Sequence, residues 1–196
     1  NGVPTSSDAD PPIVVRVGPF TLLAALAMTT NHFGLDATVS TTYGAPYHTE
    51  RSCASLDHLS NGRAAWNIVT TSYDRSAANF GRDSHPEHDK RYEIAKEFVT
   101  VCKGLWDSWD DGAFIADKDN GVFVKPDAMH VLNHDGTHFA VRGPLNVSRA
   151  PQGHPVLIQA GSSPAGKALA AELADVVFTA QDTLESAQKY YTDITT

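Results

Sequence analysis

The first part of the chain alternates between apolar positions at helical spacing and apolar positions at strand spacing. Residues 34–43 (GLDATVSTTY) mix β-branched and polar residues and predict a strand with one polar face. A helix over residues 47–59, which ends at the C-cap signal Asn61-Gly62, and a strand over residues 63–71 continue the alternation. Before them, residues 20–31 predict a helix with a buried face of Leu22, Leu23, Leu26 and Ala27.

A long helix follows the polar loop at residues 72–83. Ser84 and Glu87 have capping-box spacing and predict its start. Residues 110–152 then form an excursion rich in glycine and aspartate, in which the turn signal Asp135-Gly136 predicts one or two hairpins. The long helix should face a core with the apolar residues that repeat at helical spacing, namely Ile94, Phe98, Val101, Cys102, Leu105, Trp106 and Trp109.

The last part of the chain repeats the order of strand and helix. Residues 155–160 and 175–180 predict strands, residues 163–174 predict a helix between them, and Asp182 with Glu185 has the capping-box spacing of a final helix. This alternation predicts parallel strands with crossover helices. The apolar strands predict a sheet covered on both faces.

A barrel and a doubly wound sheet both satisfy this α/β pattern. We count four main strands, about half of the eight in a complete (β/α) barrel. The expectation is therefore a single partial barrel domain over residues 1–196, with residues 110–152 as an insertion. Because the chain begins with Asn1 rather than Met, we expect it to be a central part of a longer protein.

Composition narrows the classes of function. The formal net charge of -8 argues against nucleic acid as a partner, because phosphate neutralisation needs clustered Lys and Arg. No apolar run is long enough to span a membrane, and none resembles a signal peptide. The two cysteines, Cys53 and Cys102, form no CxxC motif and are expected to be reduced in a cytoplasmic protein.

The carboxyl ends of the predicted strands carry hydroxyl and amide side chains, and ligands of parallel α/β folds bind at that edge. Ser163 is placed as a helix N-cap with Pro164 in the first helical position, and a helix N-terminus suits a phosphate. His88 and Tyr92 share a helix face near another helix start. If the two strands are neighbours, His88, Tyr92 and Ser163 converge on one anion. The alternative is an ordinary cap at Ser163 and a solvated first turn with Tyr92 packed on the sheet.

Histidines at His130, His134 and His138 invite a metal hypothesis, but they straddle the Asp135-Gly136 turn and lack helical spacing. We expect surface histidines on a hairpin instead. Asp57-His58 comes without a Gly-x-Ser-x-Gly elbow and gives only a faint hydrolase signal.

Five motifs, taken in order, resemble one family. They are ATVSTTYGAPY, ASLDHLSNGRAAWNIVT, RYEIAKEF with LWDSW, GPLNVSRAPQGHPVLIQAGSSPAG and ADVVFTAQ. They are similar to the two-component flavin monooxygenases typified by nitrilotriacetate, EDTA and dibenzothiophene-sulfone monooxygenases, of the bacterial-luciferase-like superfamily. The resemblance runs from about Phe20 to Gln181.

The resemblance implies a TIM barrel with insertions, in which the strands here are the third to the sixth. It implies reduced FMN delivered by a separate NAD(P)H:flavin reductase, and O2 as a co-substrate that oxidises a small organic molecule. It also implies a homo-oligomer at full length. Flavin contacts carry over by position to Thr38, His88, Tyr92 and Ser163, and less specifically to Asn67 and Ser162.

Compared with the family pattern, the sequence lacks two strands before the matched region, with an acidic or polar flavin contact after the second, and two strands and a long C-terminal region after it. Cys53 stands where a bulky apolar residue is expected, which should affect packing only. Two alternatives therefore stay open: an oxidoreductase of the same superfamily that uses the deazaflavin F420, and a non-catalytic chain that binds flavin or a partner.

Overall fold

The computed structural model describes residues 17–195. Up to residue 106 the elements are α1 (Pro19–Ala27), β1 (Leu35–Ser40), α2 (Pro46–Ser60), β2 (Ala64–Val69), a 3₁₀ helix (Asp74–Phe80) and α3 (His88–Trp106). Next come β3 (Phe114–Asp117), β4 (Val122–Val124), a 3₁₀ turn (Pro126–Ala128), β5 (His134–Asp135) and β6 (Ala140–Val141). The chain closes with β7 (Val156–Gln159), α4 (Pro164–Leu173), β8 (Val176–Val177) and α5 (Leu184–Thr195).

Four parallel strands form the main sheet in the order β1-β2-β7-β8, which confirms the predicted alternation. The register places Thr38 of β1 opposite Asn67 of β2, and Asn67 opposite Ile158 of β7. Ile158 in turn pairs with Val176 of β8. This row of four residues shares one face of the sheet, since alternate residues of a strand point to opposite faces.

Helices cover only the other face of this sheet. Trp66 and Ile68 on β2 are buried against them, whereas Asp36 and Thr38 on β1 are exposed and Val176 is 47% exposed. The prediction of a sheet covered on both faces is therefore wrong for the described residues. The strand order runs in one direction without reversal, so right-handed crossovers place every helix on the same side. A one-sided helix layer is the arrangement of a barrel wall, whereas a doubly wound sheet needs a reversal of strand order.

Trp66 lies at the centre of the core between sheet and helices. Its side chain is fully buried, and Nε1 donates a hydrogen bond to the Val39 carbonyl at 3.1 Å. Its ring lies 5.8 Å from that of Phe98 and 6.3 Å from that of Trp106. The predicted inward face of α3 is confirmed from Phe98 to Trp106, but Trp109 lies beyond the end of the helix and is buried in a separate cluster with Ala113 and Ala128.

Helix boundaries and exposure differ from the sequence expectations at three places. In α1, Leu22 and Leu26 are 47% and 39% exposed, because this helix packs at the β1 edge of the sheet. Helix α3 begins at His88 with Glu87 as its N-cap, so the Ser84 capping box is wrong. A residue before proline is restricted to extended backbone, which delays the helix past Pro86. In α5, Thr183 rather than Asp182 caps the first turn by accepting a hydrogen bond from Ser186 N at 3.2 Å.

The excursion at residues 110–152 contains two hairpins, and the β5–β6 hairpin docks on α3. Glu97 Oε1 accepts hydrogen bonds from His134 Nε2 at 3.1 Å and from Phe139 N at 2.9 Å. Burial tends to raise the pKa of Glu97, but these hydrogen bonds outweigh it and lower that pKa. A Cβ at Gly136 would meet the Glu97 carboxylate and His134 Nε2, so a larger residue here would require both side chains to move.

The hairpin histidines are therefore not free surface groups, which corrects the expectation for two of them. The side chains of His134 and His138 are only 20% and 12% exposed, and they pair with Glu97 and Glu93. Only His130 is half exposed, where its Nε2 contacts Asp110 at 2.9 Å. Within residues 17–195 no group of three or more side chains is arranged to hold a metal ion.

Asp57 joins three segments at the amino end of the parallel strands. It is fully buried and accepts hydrogen bonds from Ala64 N at 3.2 Å, from Gln152 N at 2.9 Å and from Gln152 Nε2 at 2.6 Å. These contacts join the end of α2 to the start of β2 and to the segment that leads into β7. Asp57 is thus a structural residue at the amino end of the strands.

Among the described helices none has the length and apolar character to cross a bilayer.

Glu50 of α2 is the least satisfied carboxyl group in the core. It is fully buried, and among the described residues neither carboxylate oxygen has a hydrogen-bond partner. Its surroundings include the free and buried thiols of Cys53 and Cys102. Desolvation raises the pKa of Glu50 from 4.5 to about 9, so the folded protein holds this carboxyl group protonated at neutral pH.

Replacing Glu50 by glutamine should therefore flatten the pH dependence of stability. Above pH 4.5 the unfolded chain ionises Glu50 while the folded chain keeps the proton up to about pH 9, so stability falls as pH rises between these values. The slope is about 1.4 kcal/mol per pH unit. Denaturant unfolding should show that Glu50→Gln is more stable than wild type at pH 8 and nearly equal to it at pH 4. The exposed Glu185→Gln is the control, and an unchanged pH dependence in Glu50→Gln would contradict the burial argument.

Candidate functional site

The carboxyl ends of the parallel strands meet at one rim of the sheet, and helices α3 and α4 begin there. The strands end at Ser40, Val69, Gln159 and Val177. Helix α3 starts at His88, after β2, and α4 starts at Pro164, after β7. Strands β2 and β7 are neighbours in the sheet. The rim therefore combines side chains from strand ends with the free N–H groups of two helices.

Thr38 and Asn67 meet on the inward face of the sheet. Asn67 Nδ2 donates to Thr38 Oγ1 at 3.2 Å, and among the described residues the buried Asn67 Oδ1 has no partner. Asp36 lies two residues before Thr38 on the same face, and burial raises the pKa of its carboxyl group. The inward face of β1 is polar throughout, as its sequence pattern predicted, and it offers hydrogen-bonding groups to a ligand above the sheet.

His88 and Tyr92 lie together on the first turns of α3. Their ring centroids are 4.9 Å apart, and His88 Nδ1 lies 2.8 Å from Asp89 Oδ1. The His88 side chain is 47% exposed, whereas Tyr92 is half-buried. The predicted shared face is confirmed.

The first turn of α4 is capped by Ser163, as predicted. Ser163 Oγ accepts a hydrogen bond from Gly166 N at 3.1 Å, which leaves its own O–H group free to donate elsewhere. Ser162 is exposed beside it. The turn is tight, since a Cβ at Gly161 would lie 2.7 Å from Gly166 Cα.

Tyr92 reaches this turn of α4 from α3. A Cβ at Gly166 would lie 3.1 Å from Tyr92 Oη and 2.9 Å from Gly161 Cα. The phenol therefore stands against the α4 N-terminus. The convergence of His88, Tyr92 and Ser163 on one anion stays a prediction. The two glycines pack directly against each other, and neither has room for a Cβ. Hydroxyl groups and the positive ends of two helix dipoles at this rim suit a phosphate or another small anion.

Sequence reasoning missed three residues whose hydrogen bonds hold this rim together: Tyr43, His85 and Arg91. Tyr43 Oη lies 2.5 Å from His85 Nδ1, while His85 Nε2 and Arg91 Nη1 both contact the carbonyl oxygen of Thr71. Arg91 precedes Tyr92 directly and gave no separate signal. Tyr43 and His85 are 42 positions apart, so their pairing depends on the β1–β2 register.

Comparison with known proteins places this site in a family. The profile of the family described as luciferase-like monooxygenase matches residues 4–195. The chain belongs to this family. The resemblance noted in the sequence and the expected luciferase-like α/β barrel fold are both confirmed by the match.

Individual relatives agree with the family. The chain is 58% identical over 188 residues to N-acetyl-S-(2-succino)cysteine monooxygenase of Bacillus subtilis (strain 168), covering 96% of this chain and 43% of that protein. It is 57% identical to nitrilotriacetate monooxygenase component A of Aminobacter aminovorans, covering 90% of this chain and 39% of that protein. The chain thus spans about two fifths of the length of these relatives.

A solved structure shows the same arrangement of elements. The crystal structure of riboflavin lyase with modified FMN and the substrate riboflavin superposes with a TM-score of 0.91 at 34% sequence identity. The match covers 99% of this chain and 44% of that one. The backbone described above is therefore shared by a protein crystallised with a flavin.

Substituting Gly166 tests the close approach at the rim. Helix propensity alone predicts that Gly→Ala inside a helix stabilises by about 1 kcal/mol. The Cβ would instead press on Gly161 Cα and Tyr92 Oη, so we expect Gly166→Ala to lower the free energy of unfolding by about 1 kcal/mol or more. Gly34→Ala is the matched control, because a Cβ there meets no atom within 4 Å. A stabilised Gly166→Ala variant in denaturant unfolding would show that the rim has room to spare.

Proposed function

We propose that the whole protein is a flavin-dependent monooxygenase that uses reduced FMN and O2 to oxidise a small organic substrate. The observation that carries this proposal is the meeting of Tyr92 with the Ser163–Gly166 turn, which joins two helix N-termini at the strand carboxyl ends in a chain of the luciferase-like family. The monooxygenase names of its relatives support the same class of reaction.

The residues of the rim fit FMN in two parts. The hydroxyl groups of Ser162, Ser163 and Tyr92 and the His88 imidazole suit the phosphate end. Thr38 and Asn67 face inward on the sheet, where the unpartnered Asn67 Oδ1 suits a ring N–H group. Bound reduced FMN would supply the activation of O2, and the protein's part is to hold the flavin and to keep water from the reacting atoms.

A separate NAD(P)H:flavin reductase is part of the proposal. The phrase "component A" in the name of the nitrilotriacetate relative indicates a system of more than one protein, which supports it. We also propose a cytoplasmic location, supported by two buried free thiols, and a homo-oligomer at full length. The substrate class stays a small organic molecule; two relatives are named for substrates that carry several carboxylate groups.

Two alternatives have separate consequences. An F420-dependent oxidoreductase would be protected against thermal unfolding by F420 and not by FMN; the monooxygenase names of the relatives and the flavin in the solved structure favour FMN. A non-catalytic flavin-binding protein would bind reduced FMN without any oxidation of substrate when O2 and a flavin reductase are present.

Anaerobic titration of the whole protein with reduced FMN tests the proposal, and we expect binding at micromolar concentrations. Ser163→Asp keeps an N-cap of equal strength and places a negative charge beside the phosphate, so it should raise the Kd more than tenfold with little change in stability. Ser163→Tyr should block the site sterically.

The control for these variants is Thr100→Tyr, which adds a phenol at an exposed position of α3 away from the rim. Its Kd should equal that of wild type. Absence of micromolar binding by wild type would overturn the proposed function. Unchanged affinity in both Ser163 variants would show that the α4 turn is only a cap.

A further inference from the structure

Every polar group of Thr71, which lies two residues beyond β2, forms a hydrogen bond. Its N–H donates to Thr42 Oγ1 at 3.1 Å, and its hydroxyl lies 2.7 Å from Ser40 Oγ. Its carbonyl oxygen accepts from His85 Nε2 at 2.9 Å. Thr71 thus joins the ends of β1 and β2 to the connection at residues 72–87.

Arg91 bonds to the same carbonyl oxygen from α3. Its Nη1 donates to Thr71 O, and it stands between His88, one turn earlier, and Tyr92, the next residue. A guanidinium is a rigid fork whose hydrogen bonds fix direction as well as distance. The bond therefore sets where the first turns of α3 lie above the ends of β1 and β2.

His85 is oriented by the hydrogen bond between its Nε2 and the Thr71 carbonyl oxygen. A carbonyl oxygen can only accept, so Nε2 carries the proton, and in the neutral ring Nδ1 accepts the proton of Tyr43 Oη at 2.5 Å. The Tyr43 ring stacks on Phe80 of the 3₁₀ helix with centroids 4.4 Å apart and an interplanar angle of 7°. The connection is thus pinned to the rim at Phe80 and again at His85.

We propose that Arg91 and His85 are positioning residues, which act through the Thr71 carbonyl to fix the first turns of α3 and so hold the Tyr92 phenol against the α4 turn. The identity of the ligand in this pocket rests on the proposed function; the positioning role does not. A pocket of about 340 Å³ beside Arg91 is also lined by His88, Asp74 and Glu87. The two carboxylates disfavour an anion at Arg91, whose Nη1 instead bonds the Thr71 carbonyl.

The test uses the whole protein in two measurements, amide hydrogen exchange without flavin and the Kd for reduced FMN. Arg91→Gln and His85→Ala should each speed exchange across residues 72–92 and raise the Kd by about tenfold, the scale of one lost hydrogen bond to a charged or buried group. His85→Gln keeps an N–H donor close to the Nε2 position and should restore both values toward wild type. Arg75→Gln removes the same charge from an exposed position and should change neither value.

Each other outcome decides against the role. Unchanged exchange in Arg91→Gln and His85→Ala would show that Thr71 does not hold the segment. A raised Kd with unchanged exchange would show that Arg91 and His85 contact the ligand directly. Faster exchange with an unchanged Kd would show that their hydrogen bonds to Thr71 do not affect the pocket. If wild type fails to bind FMN, the proposed function falls, while the exchange measurement made without flavin still decides whether Arg91 and His85 order residues 72–92.

Discussion

The single direction of the strand order, which puts the crossover helices on one side of the sheet, is the constraint on which the rest of the structure depends. The strand order β1-β2-β7-β8 never reverses, so each right-handed crossover returns its helix to the same side. Trp66 anchors that side, with its ring among aromatic neighbours and its N–H on the Val39 carbonyl. The opposite face carries Asp36, Thr38 and Asn67. Apolar packing on this face would leave their polar groups without hydrogen-bond partners.

The two ends of this sheet have different tasks. At the amino end, Asp57 joins α2, β2 and the approach to β7. Arg63 donates to the Ala27 carbonyl at the end of α1 and to the Thr30 carbonyl after it. At the carboxyl end, the same parallel geometry brings Thr71, Tyr92 and the Ser163 turn to one rim. The structural contacts of Asp57 and Arg63 and the candidate binding residues therefore lie at opposite ends of the strands, as expected for a (β/α) barrel.

The excursion is held to the helix layer rather than to the sheet. Glu97 gathers the β5–β6 hairpin onto α3, and Phe139 packs edge-on against Phe98 with centroids 5.5 Å apart. Trp109 Nε1 donates to the Leu145 carbonyl at 2.8 Å and fixes the return of the chain. The first two contacts are made by α3 itself and the third by a residue just beyond its end, so they support the position of the helix whose first turns carry His88 and Tyr92.

Local pattern was enough to predict the alternation of strands and helices, the Asn61-Gly62 C-cap and the Ser163 cap, because each depends on neighbouring residues only. It misplaced the start of α3 and the cap of α5, where several polar residues compete for one turn. The family resemblance pointed to Thr38, His88, Tyr92 and Ser163. Tertiary structure alone decided that the helices share one side, that Glu97 takes the hairpin histidines, and that Tyr43, His85 and Arg91 converge on Thr71. These contacts join residues far apart in sequence, and only the parallel register of β1 and β2 brings them within hydrogen-bonding distance.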